Sequence, residues 1–114
     1  MTRVLLVEDE TDLLSLVSEA LDEHGVAVIQ ADSGQKALQQ LQAGANFDAL
    51  VSDIAMPGNI SGIDVAYEVL KAYPDMRVIL TSGHPLSNFP PLPENVRFLP
   101  KPYRVRQLME LLQR

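Results

Sequence analysis

The sequence predicts an α/β protein built on a parallel sheet with helices on both faces. Short apolar runs alternate along the chain with stretches whose apolar residues recur at helical spacing. The runs are apolar at consecutive positions, as strands covered on both faces require. The length, 114 residues, suits one domain with one core, spanning 1–114.

Val4 to Val7 reads as the first strand. Leu13, Leu14, Leu16, Val17, Ala20 and Leu21 then fall at helical spacing, and Gly25 marks the stop. Val26 to Ile29 is a second strand. Ser33 is placed to cap a helix carrying Ala37, Leu38 and Leu41, which stops near Gly44. Phe47 to Val51 is a third strand, ending at Ser52-Asp53. Ser61-Gly62-Ile63-Asp64 has the form of a capping box, with Asp64 in the place usually held by Glu or Gln. The helix after it carries Ile63, Ala66, Leu70 and Tyr73 and ends at Pro74. Val78 to Leu80 and Val96 to Leu99 are strands four and five, and Val105, Leu108 and Leu112 mark a closing helix.

Composition excludes several classes of function. Acidic residues number 15 against 9 basic, for a formal net charge of -6. Binding to nucleic acid or to an anionic membrane surface needs clustered Lys and Arg, so neither is expected. There is no Cys, hence no disulfide framework and no thiolate metal site, which fits a cytoplasmic setting. No apolar stretch approaches the about 20 residues of a membrane span, and Val4 to Val7 is too short for a signal-peptide core.

Ligands of such sheets bind beyond the carboxyl ends of the strands. Glu8 and Asp9 follow strand one, Asp53 strand three, Thr81 and Ser82 strand four, and Lys101 strand five. Singly, each is ordinary: acids before a helix favour its dipole, an Asp before Pro-Gly forms a turn, and a Lys is usually solvated. Together they put three carboxylates, two hydroxyls and an ammonium on one sheet edge. Clustered carboxylates repel, and a hard divalent cation such as Mg²⁺ relieves that repulsion. A carboxylate beside such an ion can act as a covalent nucleophile toward phosphorus. Lys101 can pair with phosphoryl oxygens, and the Thr81 hydroxyl can donate to one.

At these residues the chain resembles bacterial two-component response-regulator receiver domains. The resemblance is carried by VLLVEDE at 4 to 10, ALVSDIAMPG at 49 to 58, VILTSGH at 78 to 84 and FLPKPY at 98 to 103, and it covers the whole chain. It implies a flavodoxin-like, doubly wound five-stranded sheet in the order 2-1-3-4-5. It also implies phosphorylation-dependent signalling, in which a sensor histidine kinase or histidine phosphotransfer domain gives its phosphoryl group to Asp53 with Mg²⁺. Asp9 is then a direct metal ligand, Glu8 acts through water, and the Ala55 backbone carbonyl adds a ligand. Ser82 offers a backbone N–H to the phosphoryl group. Thr81 and Phe98 form the conformational switch, and the Lys101-Pro102 bond is expected to be cis. Such a domain promotes its own phosphorylation and dephosphorylation but is no free-standing enzyme.

Two departures stand out. The glycine after the Met-Pro turn comes one residue late, at Gly62, as if a residue were inserted around Asn59 and Ile60. The link from His84 to Pro93 holds four prolines and cannot sustain the fourth helix usual in the family. Phe89 and Leu92 are expected to cover the sheet there instead. Links of this kind also resemble receivers attached to hybrid sensor kinases, and the output target stays unassigned. Three rival functions fit these residues less well. A pseudo-receiver that only binds proteins would not need the intact acid, hydroxyl and lysine set. A flavin binder would want a phosphate-cradling loop where Glu8-Asp9-Glu10 stands. An aspartate phosphohydrolase would want an acid at Ala55.

Overall fold

The computed structural model describes residues 2–113. The elements are β1 (Arg3–Val7), α1 (Thr11–Glu23), β2 (Ala27–Ala31), α2 (Gly34–Gln42), β3 (Ala49–Asp53), α3 (Gly62–Ala72), β4 (Arg77–Ser82), β5 (Arg97–Pro100) and α4 (Val105–Gln113). All strand pairs are parallel, in the order β2-β1-β3-β4-β5, as expected from the resemblance.

Period-two alternation sorts the strand residues into two apolar layers. Leu5, Val7, Leu50, Val78 and Leu80 face α2 and α3, meeting Ala37, Val65, Ala66 and Val69. Val4, Leu6, Val51, Ile79 and Leu99 face the other way, onto Leu14, Val17 and Leu21 of α1 and Leu108 of α4. With both faces covered, the central strands can be apolar throughout, which is why they read as continuous runs. Among the described residues no helix is long and apolar enough to cross a membrane.

The helix signals are realised in detail. The Ser33 hydroxyl accepts the Lys36 N–H at 3.1 Å. At α3 the Ser61 hydroxyl accepts the Asp64 N–H, and the Asp64 carboxylate accepts the Ser61 N–H at 2.9 Å, so the capping box closes both ways. Gly25 and Gly44 end α1 and α2 at φ +80° and +79°.

Some boundaries move. Phe47 lies before β3, buried and edge-on to the Tyr73 ring, while the Asp48 carboxylate accepts the Arg3 N–H at 2.8 Å. Val26 precedes β2 and donates its N–H to Leu21 O, finishing the end of α1. Leu16 belongs to the apolar spacing of α1 yet is 64% exposed, because six apolar positions are wider than the one face that α1 buries.

Between β4 and β5 only one 3₁₀ turn forms, Leu86–Asn88. The missing helix is replaced by a proline strap, and Phe89 and Leu92, half-buried, pack onto the core layer shared with α3. Ile60 of the β3–α3 loop packs directly onto Gly34. A Cβ there would lie 2.6 Å from Ile60 Cγ2 and 2.6 Å from Ile60 O, so no larger residue fits as the chain stands.

Candidate functional site

The parallel order brings the carboxyl ends of β1, β3, β4 and β5 side by side. Asp53 is the last residue of β3 and pairs in register with Thr81, while Ser82 pairs with Pro100, next to Lys101. Glu8 and Asp9 follow β1. Carboxylate oxygens of Glu8, Asp9 and Asp53 all lie within 4.8 Å of one another. Glu8 and Asp53 are buried, at 4% and 7% exposure, and Asp9 is half-buried. Lys101 Nζ lies 2.5 Å from Glu8 Oε1 and 3.5 Å from Asp53 Oδ2. All four strand-end charges expected from the sequence therefore meet.

Three carboxylates face one ammonium, and the imbalance shows in Asp53. Burial raises its carboxyl from 3.8 to about 6. Lys101 pulls it down, and the charges of Glu8 and Asp9 push it up. Burial would lower Lys101, but its hydrogen bond to Glu8 and the nearby charges of Asp53 and Glu8 outweigh that and hold it above 10.5. Tyr103 is pushed up to about 12, first by burial and then by Glu8 and Asp53. A cluster of hard oxygen donors with uncompensated negative charge suits a hard divalent cation. The donor set fits Mg²⁺ and offers nothing to a soft metal.

The neutral groups also fall where expected. Thr81 is buried beside Asp53, its register partner. The Ser82 hydroxyl accepts the His84 N–H at 2.9 Å, and Ser82 O accepts the Lys101 N–H at 2.8 Å. Ala55 is exposed two residues beyond Asp53. The Lys101-Pro102 peptide is cis. Phe98 pairs in register with Leu80 and rests half-buried on the α2–α3 side of the core. His84 stacks edge-on with Phe89, its ring centroid 6.4 Å away.

The family model of the response regulator receiver domain matches residues 4–113. The chain belongs to the response-regulator receiver family. Its relatives include the sensor kinase CckA of Brucella abortus, 37% identical over 92% of this receiver but over only 11% of that kinase. The chain thus spans about a tenth of that curated relative. Among solved structures, a receiver protein of Sinorhizobium medicae superposes with a TM-score of 0.88 at 31% identity, covering 98% of this chain and 91% of that one. TrrA of Thermotoga maritima, solved with Mg²⁺ and BeF, gives 0.83 at 31% identity, covering 99% and 97%. TrrA has also been solved in complex with the histidine kinase ThkA. Membership assigns this receiver to phosphorylation-dependent signalling in two-component systems.

Sequence reasoning missed two neighbours of Asp53. Ser52 is fully buried, and its hydroxyl donates to Asp53 O at 3.0 Å. A Cβ on Gly62 would come within 2.2 Å of that same oxygen. The visible signals were a hydroxyl interrupting the apolar run of β3 and the glycine after the Met-Pro turn.

Proposed function

We propose that Asp53 is the phosphoacceptor of this receiver and takes its phosphoryl group from a histidine kinase or a histidine phosphotransfer domain. The observation that carries this is the meeting of Glu8, Asp9, Asp53 and Lys101 at the carboxyl edge of the sheet. An Asp53 carboxylate oxygen attacks phosphorus, the bond from phosphorus to the donor imidazole nitrogen breaks, and the imidazole leaves with that electron pair. The product is an aspartyl phosphate. With its carboxyl near 6, Asp53 is mostly ionised at pH 7 and retains more basicity than an exposed Asp.

Glu8, Asp9, Asp53 and the Ala55 carbonyl would hold Mg²⁺, which when bound neutralises charge on the transferring group. Lys101, already between Glu8 and Asp53, pairs with the phosphoryl oxygens, and the Thr81 hydroxyl and the Ser82 N–H donate to them. Drawing Thr81 inward vacates space beside β5 into which Phe98 repacks, so a local charge becomes a surface change. The domain works in the cytoplasm, where the kinase phosphohistidine forms, and passes a signal rather than turning over a substrate.

The test is intact-protein mass after incubation with acetyl phosphate, with and without Mg²⁺, on the parent and on Asp53→Ala. Addition of one phosphoryl group that needs both Mg²⁺ and Asp53 supports the assignment. Addition that survives Asp53→Ala, or none while kinase and beryllofluoride also fail, overturns it.

A further inference from the structure

We propose that Ser52 and Gly62 form a clamp on the Asp53 backbone that aims its carboxylate for in-line attack, an inference that rests on Asp53 being the phosphoacceptor. Asp53 is the last residue of β3, where the sheet ladder ends and the chain turns into a loop. A carboxylate at such a point inherits any looseness of its own backbone. Three contacts remove that freedom. Ile54 N donates to Thr81 O at 2.9 Å, extending the tie to β4 by one residue. Gly62 N donates to Ile54 O at 2.9 Å, tying the first turn of α3 to the next peptide along. The Ser52 hydroxyl donates to Asp53 O at 3.0 Å, on the same face of the strand that α3 covers.

The fit around Asp53 O is close enough to define the residue at position 62. A Cβ on Gly62 would stand 2.2 Å from Asp53 O, 2.9 Å from Asp53 C and 2.9 Å from Ser52 Oγ. Only glycine lets α3 approach this near. Serine at position 52 is costly. It is fully buried on the face that carries Leu50, and a buried hydroxyl disfavours folding unless it is hydrogen-bonded. Alanine would fill the space without that cost, so a packing role alone does not account for the hydroxyl. Its partner is the carbonyl of the reacting residue.

In-line displacement is directional, whereas attraction of a cation to three carboxylates is not. A loosened Asp53 should therefore lose rate far more than it loses metal affinity. The experiment compares the parent, Ser52→Ala and Ser52→Cys. It measures the second-order rate constant for phosphorylation by acetyl phosphate, the Mg²⁺ dissociation constant and the thermal midpoint. We expect Ser52→Ala to phosphorylate about 10-fold more slowly, with Mg²⁺ affinity changed by less than about twofold and a fully folded protein at the assay temperature. Ser52→Cys, with similar size and a weak S–H donor, should recover part of the rate. Ser52→Ala reacting at the parental rate overturns the clamp while leaving the phosphoacceptor assignment standing. So does a slowing matched by an equal loss of Mg²⁺ affinity, or one explained by the unfolded fraction. A parent that accepts no phosphoryl group from acetyl phosphate or from a kinase, and binds no beryllofluoride, sinks the assignment itself, and the clamp with it.

Discussion

Asp53→Asn is expected to stabilise the metal-free receiver at neutral pH. The substitution keeps the side chain's shape and removes its charge. In the folded protein burial raises the Asp53 carboxyl from 3.8 to about 6, against the pull of Lys101 and with the help of Glu8 and Asp9. Between those two values the native state still holds a proton that the unfolded chain has released. Stability therefore falls as pH rises through that window, and the cost is complete above about 6. At about 1.4 kcal/mol per pH unit, the ionised side chain costs roughly 3 kcal/mol. The Asn amide must find hydrogen bonds of its own, so a gain of about 1–3 kcal/mol is expected at pH 7.5. Urea unfolding of parent and variant in a chelator, with equal m values, measures it. The gain should shrink below pH 6 and vanish near pH 4. Added Mg²⁺ should also narrow it, because the three-carboxylate cluster of the parent binds the cation more strongly. A variant no more stable than its parent at pH 7.5, or a gain that ignores pH, would refute the electrostatic account of this site.

Other consequences are as direct. Lys101→Met leaves Glu8 and Asp53 without their ammonium, so calorimetric titration should show tighter Mg²⁺ binding while acetyl phosphate labelling falls about 100-fold or more. Phosphorylation measured against pH should decline as the solution is acidified through about 6, unless saturating Mg²⁺ moves the decline lower. Phe89→Ala, which unseats half of the strap's apolar cover, should cost about 1–3 kcal/mol in urea unfolding, less than a fully buried Phe would. Ser61→Ala opens the capping box of α3 and should cost about 1 kcal/mol by the same measurement, with no effect on Mg²⁺ affinity.

Much of this molecule was legible in its residues because its signals are local. Ser33 and Ser61 announce helix starts through bonds that span three residues. The strands announce themselves because both faces are covered, and strand ends with acids, hydroxyls and a lysine point to the sheet edge. What stayed hidden depends on approach between distant segments. The tie of Lys101 to Glu8 joins residues 93 positions apart. The nearness of Gly62 to Asp53 O follows from where α3 docks, and the exposure of Leu16 from which face of α1 the sheet takes. Strand limits shifted by a residue or two where Val26 and Phe47 bury their side chains without joining the ladder.

The packing of Ile60 against Gly34 joins two stretches of chain that would otherwise vary independently. The loop after β3 has room as it stands only because the helix across from it begins with a residue that lacks a side chain. Any descendant that replaces Gly34 must shorten or redirect that loop in the same lineage, and one that trims the loop is released from the glycine. Length in one place and residue size in the other are thus expected to change together.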